Sequence, residues 1–108
     1  MKVRLISALL LLVSFNATAE TSQCAAAALV QAEKLLAFHT DDDDRAAVDA
    51  NVKQRLWQTN PANTSQKLAV FEVMGHVYKG EYRIRLIYYP IGRECVLIGQ
   101  EILELASL

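Results

Sequence analysis

Two cysteines constrain this chain more than any other feature. Cys24 and Cys95 lie toward opposite ends of the 108-residue sequence, and in an exported protein an even pair reads as a disulfide. Such a bridge closes a loop of about 70 residues and removes roughly 4 kcal/mol of unfolded-chain entropy on the chain-entropy account. It also dictates a contact, because the element carrying Cys24 must pack against the element carrying Cys95. No Cys-x-x-Cys spacing is present, so the sequence offers no redox motif.

The case for export sits in the first residues. Met1-Lys2-Val3-Arg4 is a short basic start, and Leu5 to Val13 form an apolar run broken only by Ser7. The run is shorter than the roughly 20 residues that cross a bilayer but fits the roughly 7–15 residues of a signal-peptide core. Ala17-Thr18-Ala19 supplies a small-x-small cleavage pattern. Thr21 and Gln23 stand where a lipoprotein signal needs an apolar and a small residue before its cysteine, so Cys24 is not read as an acylation site. The expectation is a cleavable signal peptide over 1–19 and a single α+β domain over 20–108. That domain would be periplasmic or secreted, with no membrane anchor after cleavage.

Cleavage removes Lys2 and Arg4 and no acid. That leaves 9 of the 11 Lys and Arg against 12 Asp and Glu, a net charge near −3. A surplus of that sign argues against nucleic acid as a partner, since phosphate binding needs basic surface. A domain this small buries only about 60% of its unfolded surface, so a staple matters to it.

Composition divides the mature chain. Residues 22–58 are rich in Ala, Leu, Gln and Lys, without Gly or Pro. Residues 67–105 are rich in Val, Ile, Tyr and Leu, and the polar cluster Thr59-Asn60-Pro61-Ala62-Asn63-Thr64-Ser65 lies between them. A first helix is predicted from a Thr21 or Ser22 cap to about His39. Ala25, Ala28, Leu29, Ala32, Leu35 and Leu36 make its apolar stripe. A second helix is predicted from Thr40 and the aspartate run to about Gln58, burying Val48, Val52 and Leu56 with Trp57 at one edge.

In the second part, Val77 to Tyr82 reads as a hairpin with Lys79-Gly80 as its turn, Gly80 supplying a positive φ. That register sets Val77 against Tyr82, Gly75 against Ile84, Val73 against Leu86 and Phe71 against Tyr88 on one apolar face. His76, Arg83, Met74, Arg85 and Glu72 fall on the other. A four-residue loop over 90–93 then brings Cys95 onto the core face, in a third strand running from about Glu94 to Leu105. The fold class expected is α+β: two N-terminal helices packed on one face of a three-stranded antiparallel meander sheet, with one disulfide.

Catalytic chemistry has little to work with. Asp41-Asp42-Asp43-Asp44 lacks the spaced acids, central Gly and distal Glu of a calcium loop, and reads as the cap of the second helix. His39 and His76 are the two imidazoles; they fall on separate elements and fit no nucleophile or metal motif. No cofactor or metal is expected. The outer sheet face offers more: Met74, His76, Arg83, Arg85 and Tyr89 gather the residue types enriched at protein interfaces.

These readings converge on a small exported protein that is not an enzyme. It would act as a binding module of the inhibitor, immunity or accessory type, docking another exported protein through the outer sheet face or the last strand's edge. Ordinary solvated Glu–Arg pairs are the plainer account of that face. The alternative function is a small-ligand binder with a groove between helices and sheet, using Tyr82, Tyr88 and Trp57. A small hydrolase is the remote third.

Overall fold

The computed structural model describes residues 19–107. The signal-peptide expectation for 1–19 therefore falls, but for Ala19, outside the described residues. One helix, α1 (Ala19–His39), is followed by six strands: β1 (Ala46–Val48), β2 (Lys53–Gln54), β3 (Gln58–Asn60), β4 (Asn63–Val77), β5 (Gly80–Ile91) and β6 (Glu94–Ser107). All pairings are antiparallel, in the order β1-β4-β5-β6, with β2 and β3 also pairing with β4. The expected pair of helices on a three-stranded meander is thus replaced by a single helix on a curled six-stranded sheet.

The first helix forms as its composition dictates, because Ala, Leu, Gln, Glu and Lys are strong helix formers. Cys24, Ala28, Ala32 and Leu36 recur every four residues and are fully buried, with Ala25, Leu29 and Leu35 partly buried beside them. The last turn is closed from outside. Thr40 Oγ1 donates to the Leu36 carbonyl at 2.8 Å and the Asp42 amide to the Ala37 carbonyl at 2.8 Å. Asp41 and Asp42 reach this geometry with φ of 55° and 56°, a left-handed conformation that Asp tolerates better than most residues.

No second helix begins there. The aspartate run ends α1 instead of opening a helix, and residues 46–60 make three short strands along the edge of β4. The apolar spacing was ambiguous, because residues four apart share a strand face as well as a helix face. The segment's two valines and one threonine favour strands only weakly, and the β alternative wins because the open edge of β4 pairs with this segment. Val48 and Val52 pack on the core, whereas Leu56 is 89% and Trp57 48% exposed. The polar cluster 59–65 is itself a hairpin turn, with the Ala62 amide donating to Asn60 Oδ1 at 2.9 Å.

The inner face of β4 and β5 is as expected, but the pairing is shifted by two residues. Val77 pairs with Gly80, Gly75 with Tyr82, Val73 with Ile84 and Phe71 with Leu86. The turn is Tyr78-Lys79, and Tyr78 (φ 54°), not Gly80, takes the positive φ. A slip of two keeps every side chain on its face, so the core list survives the wrong register. Ala69, Phe71, Val73, Tyr82, Ile84, Leu86 and Tyr88 join Cys24, Ala28, Ala32 and Leu36 in one cluster.

The second turn is likewise shorter than expected. Ile91 pairs with Glu94, leaving Gly92-Arg93 as a two-residue turn with Gly92 at φ 58°. Two and four residues have the same parity, so Cys95 still reaches the core side opposite Pro90. The Cys24–Cys95 bridge forms with a Cα–Cα distance of 5.6 Å. It ties the start of α1 to the β5–β6 turn and holds the helix across the sheet.

Candidate partner-binding face

The helix covers one side of the sheet, and the other side carries the residues singled out for binding. Strand alternation puts Glu72, Met74 and His76 of β4 on it, with Glu81, Arg83, Arg85 and Tyr89 of β5 beside them. Met74 pairs across the strands with Arg83, Glu72 with Arg85, and His76 with Glu81. From β6, Leu103 stands beside Arg83, Glu101 beside Arg85 and Val96 beside Tyr89. All five expected residues therefore share one face, with Tyr89 toward the β5–β6 turn and His76 toward the opposite end.

Carboxylates interleave the cations. Arg85 Nη1 lies 3.8 Å from Glu101 Oε1, Arg55 Nε lies 3.4 Å from Glu72 Oε1, and His76 Nε2 lies 3.9 Å from Asp49 Oδ1. These contacts are long and partly exposed, and pairs of that kind contribute little to stability. Sequence reasoning missed Asp49, Arg55 and Glu101 here. Only the strand structure of 46–60 and the β5–β6 register bring them to this face.

Two donors stand out. Arg83 Nε and Arg85 Nε are both inaccessible to solvent and have no hydrogen-bond partner. Buried polar groups are nearly always paired, and leaving one unpaired costs about 1–3 kcal/mol. Arg83 makes no ion pair among the described residues. Among the described residues, the one ion pair of the Arg85 guanidinium is its long contact to Glu101. Adjacent arginines with donors to spare match a carboxylate, which takes two parallel N–H bonds from one guanidinium.

The other candidate residues are dispersed. Tyr82 and Tyr88 lie in the core, Tyr82 edge-on to His39 at 5.5 Å and Tyr88 edge-on to Phe71 at 6.2 Å. Burial pushes the Tyr88 phenol above its ordinary pKa. Trp57 lies just before β3 and is 48% exposed, whereas Tyr82 and Tyr88 are buried. His39 and His76 fall on opposite sides of the sheet. Among the described residues, no three His, Cys, Asp or Glu side chains are grouped to hold a metal ion. A different hollow of ≈ 460 Å³ lies between α1 and β1, floored by Leu36, Ala46 and Val48 and edged by Glu33, Asp42 and Asp43.

No helix of the described residues is long and apolar enough to cross a membrane. No protein-family model, curated protein or solved structure matches the chain.

Proposed function

We propose that this chain is a small exported binding protein, without enzymatic activity, that docks another exported protein through its outer sheet face. The observation that carries the reading is the pair Arg83 and Arg85, side by side on a face the helix leaves open, each with an unpartnered Nε. A carboxylate of the partner meets the guanidinium ends, not the buried Nε atoms, the Arg85 side chain being 34% exposed, and Met74, Tyr89, Val96 and Leu103 supply apolar area around them. The deciding experiment is affinity capture from exported proteins with the disulfide-bonded domain as bait. Capture of one dominant partner, abolished by Arg83→Glu with Arg85→Glu, supports the reading.

One observation favours a second reading. The hollow between α1 and β1 has a volume suited to a small molecule, and its acidic rim suits an amine with a short apolar body. A panel of amines raising the melting temperature, with Asp42→Asn removing the effect, would move the assignment there.

A further inference from the structure

The two edges of the sheet are treated differently. Along its free side β4 is met in turn by β1, β2 and β3, so its backbone groups are covered piecewise. At the opposite edge β6, 14 residues long, pairs only with β5 among the described residues. Half of its N–H and C=O groups therefore point outward with nothing to bond. Proteins protect a sheet edge with charged side chains, above all lysine, with proline, with bulges or by keeping the strand very short. β6 carries two register breaks and three glutamates, but it is long, contains no Lys, Arg or Pro, and exposes Val96, Leu97, Ile98, Leu103 and Leu105.

Register breaks in β6 near Ile98 and Leu105 bracket a regular stretch. Between them Gly99 to Glu104 run in unbroken register with Ile87 to Tyr82. Six residues is the length of an ordinary strand and suits one more. The helix adds a wall. At 3.6 residues per turn, Ala27, Gln31, Lys34 and Phe38 occupy one flank of α1. That flank looks toward β6, because Gln31 Nε2 donates to Gln100 Oε1 at 3.0 Å. Phe38 is 83% exposed on it and offers apolar area that a strand added at this edge would cover.

We propose that β6 receives an extended segment of the partner protein, apolar residues alternating with Lys or Arg, as an additional antiparallel strand along Gly99–Glu104. The charge pattern selects this occupant. Glu94, Glu101 and Glu104 are the only charges on β6, and Lys34 is the one cation on the facing helix flank. Within 99–104, Glu101 lies on the outer face beside Arg85 and Glu104 on the inner face beside Tyr82, so a cation on either face of an added strand meets one acid, whereas the β6 of a second copy would bring only further acids. Inward-facing residues of the added strand pack toward Phe38. The proposal rests on the protein-binding reading above; its arginines lie on β5, the neighbouring strand, where Arg85 stands beside Glu101 at 3.8 Å, but the backbone groups offered to the added strand are those of β6.

The test is an NMR titration of the ¹⁵N-labelled, disulfide-bonded domain with two capped octapeptides, alternating Lys-Val and alternating Glu-Val. The Lys-Val peptide is expected to slow exchange of the outward amides of 99–104 and to shift Phe38. The Glu-Val peptide should bind about ten-fold more weakly, as a few exposed charge contacts dictate. Glu101→Lys with Glu104→Lys should invert that preference; if this variant does not fold, the wild-type comparison decides alone. Arg83→Glu with Arg85→Glu frees Glu101 of its ion pair and should retain or tighten the Lys-Val peptide while losing a partner held by the outer face, which separates failure of the edge from failure of that face. Equal binding of the two peptides, or no protection of 99–104 by either, overturns the proposal. Protection that grows with protein concentration alone also overturns it, in favour of a second copy.

Discussion

Leu36 of α1 seats so closely over Gly75 of β4 that a Cβ at Gly75 would lie 3.0 Å from Leu36 Cδ2, and 3.3 Å from Ile84 Cδ1. The helix can approach the sheet here because the strand presents no side chain. Alanine at 75 relieves some unfolded-chain entropy, worth up to about 1 kcal/mol, but the overpacking of a filled core costs about 1–3 kcal/mol. Gly75→Ala is expected to lose about 1 kcal/mol in urea unfolding, as the difference of those two effects. Gly75→Val should lose more, and Leu36→Ala should restore part of it in a double-mutant cycle.

The disulfide is the second structural dependence. Because it joins the first helix to the last turn across 71 residues, it constrains nearly the whole described chain. Replacing Cys24 and Cys95 with serine is expected to cost roughly 2–5 kcal/mol, the usual range for a small secreted domain. A melting temperature unchanged by reductant would contradict this.

Asp43 gives a pH-dependent signature. Hydrogen bonds from the Arg45 side chain, then from the Arg45 amide, hold its carboxyl down at about 2. A depressed folded value means that the interaction is present above the ordinary carboxylate range and is lost as the pH falls toward 2. Both groups face solvent, so the consequence for stability is small and the titration itself is the readout. Carboxyl NMR should find Asp43 near 2 in the native protein, and Arg45→Gln should raise it part of the way toward the ordinary range, the hydrogen bond from the backbone amide at 45 remaining.

The absence of a second helix is also measurable. Far-UV circular dichroism of the domain is expected to be dominated by strand, with helix confined to the 21 residues of α1. Amide protection in 46–60 should follow the strand pairings, as at the Asp49 amide, which donates to the Met74 carbonyl at 2.8 Å. Continuous helical protection from Ala46 to Gln58 would contradict the assignment.

What could be read from the residues follows the strength of each physical signal. Helix α1 was legible because its buried residues repeat every four positions over three turns, a pattern a strand cannot use alone in an Ala-rich run. The two faces of β4 and β5 were legible because Phe71, Val73, Ile84 and Leu86 alternate with Glu72, Met74, Arg83 and Arg85. Face assignment depends only on parity, so it tolerates the two-residue error that Gly80 invited at the turn. Segment 46–60 was not legible. Val48, Val52 and Leu56 satisfy both periods, and β1, β2 and β3 owe their strand form to the exposed edge of β4 rather than to their own sequence.

The candidate face was half legible for the same reason. Met74, His76, Arg83, Arg85 and Tyr89 come from the hairpin's own alternation. Their counter-charges Asp49, Arg55 and Glu101 depend on pairings the misread segment and the misjudged turn concealed. The unpartnered Nε atoms have no counterpart in sequence at all, since they depend on how each arginine lies on the sheet.

Whether Arg83 and Arg85 recognise another protein is decided by one side-by-side comparison. The disulfide-bonded domain, its Arg83→Glu/Arg85→Glu variant and an Arg45→Gln control would be immobilised in parallel and exposed to the host's exported proteins. Equal melting temperatures would certify the three folds. The account expects one dominant partner bound by the native domain and by the control, and lost from the double variant. A partner held equally by all three would place recognition elsewhere on the molecule and contradict the claim.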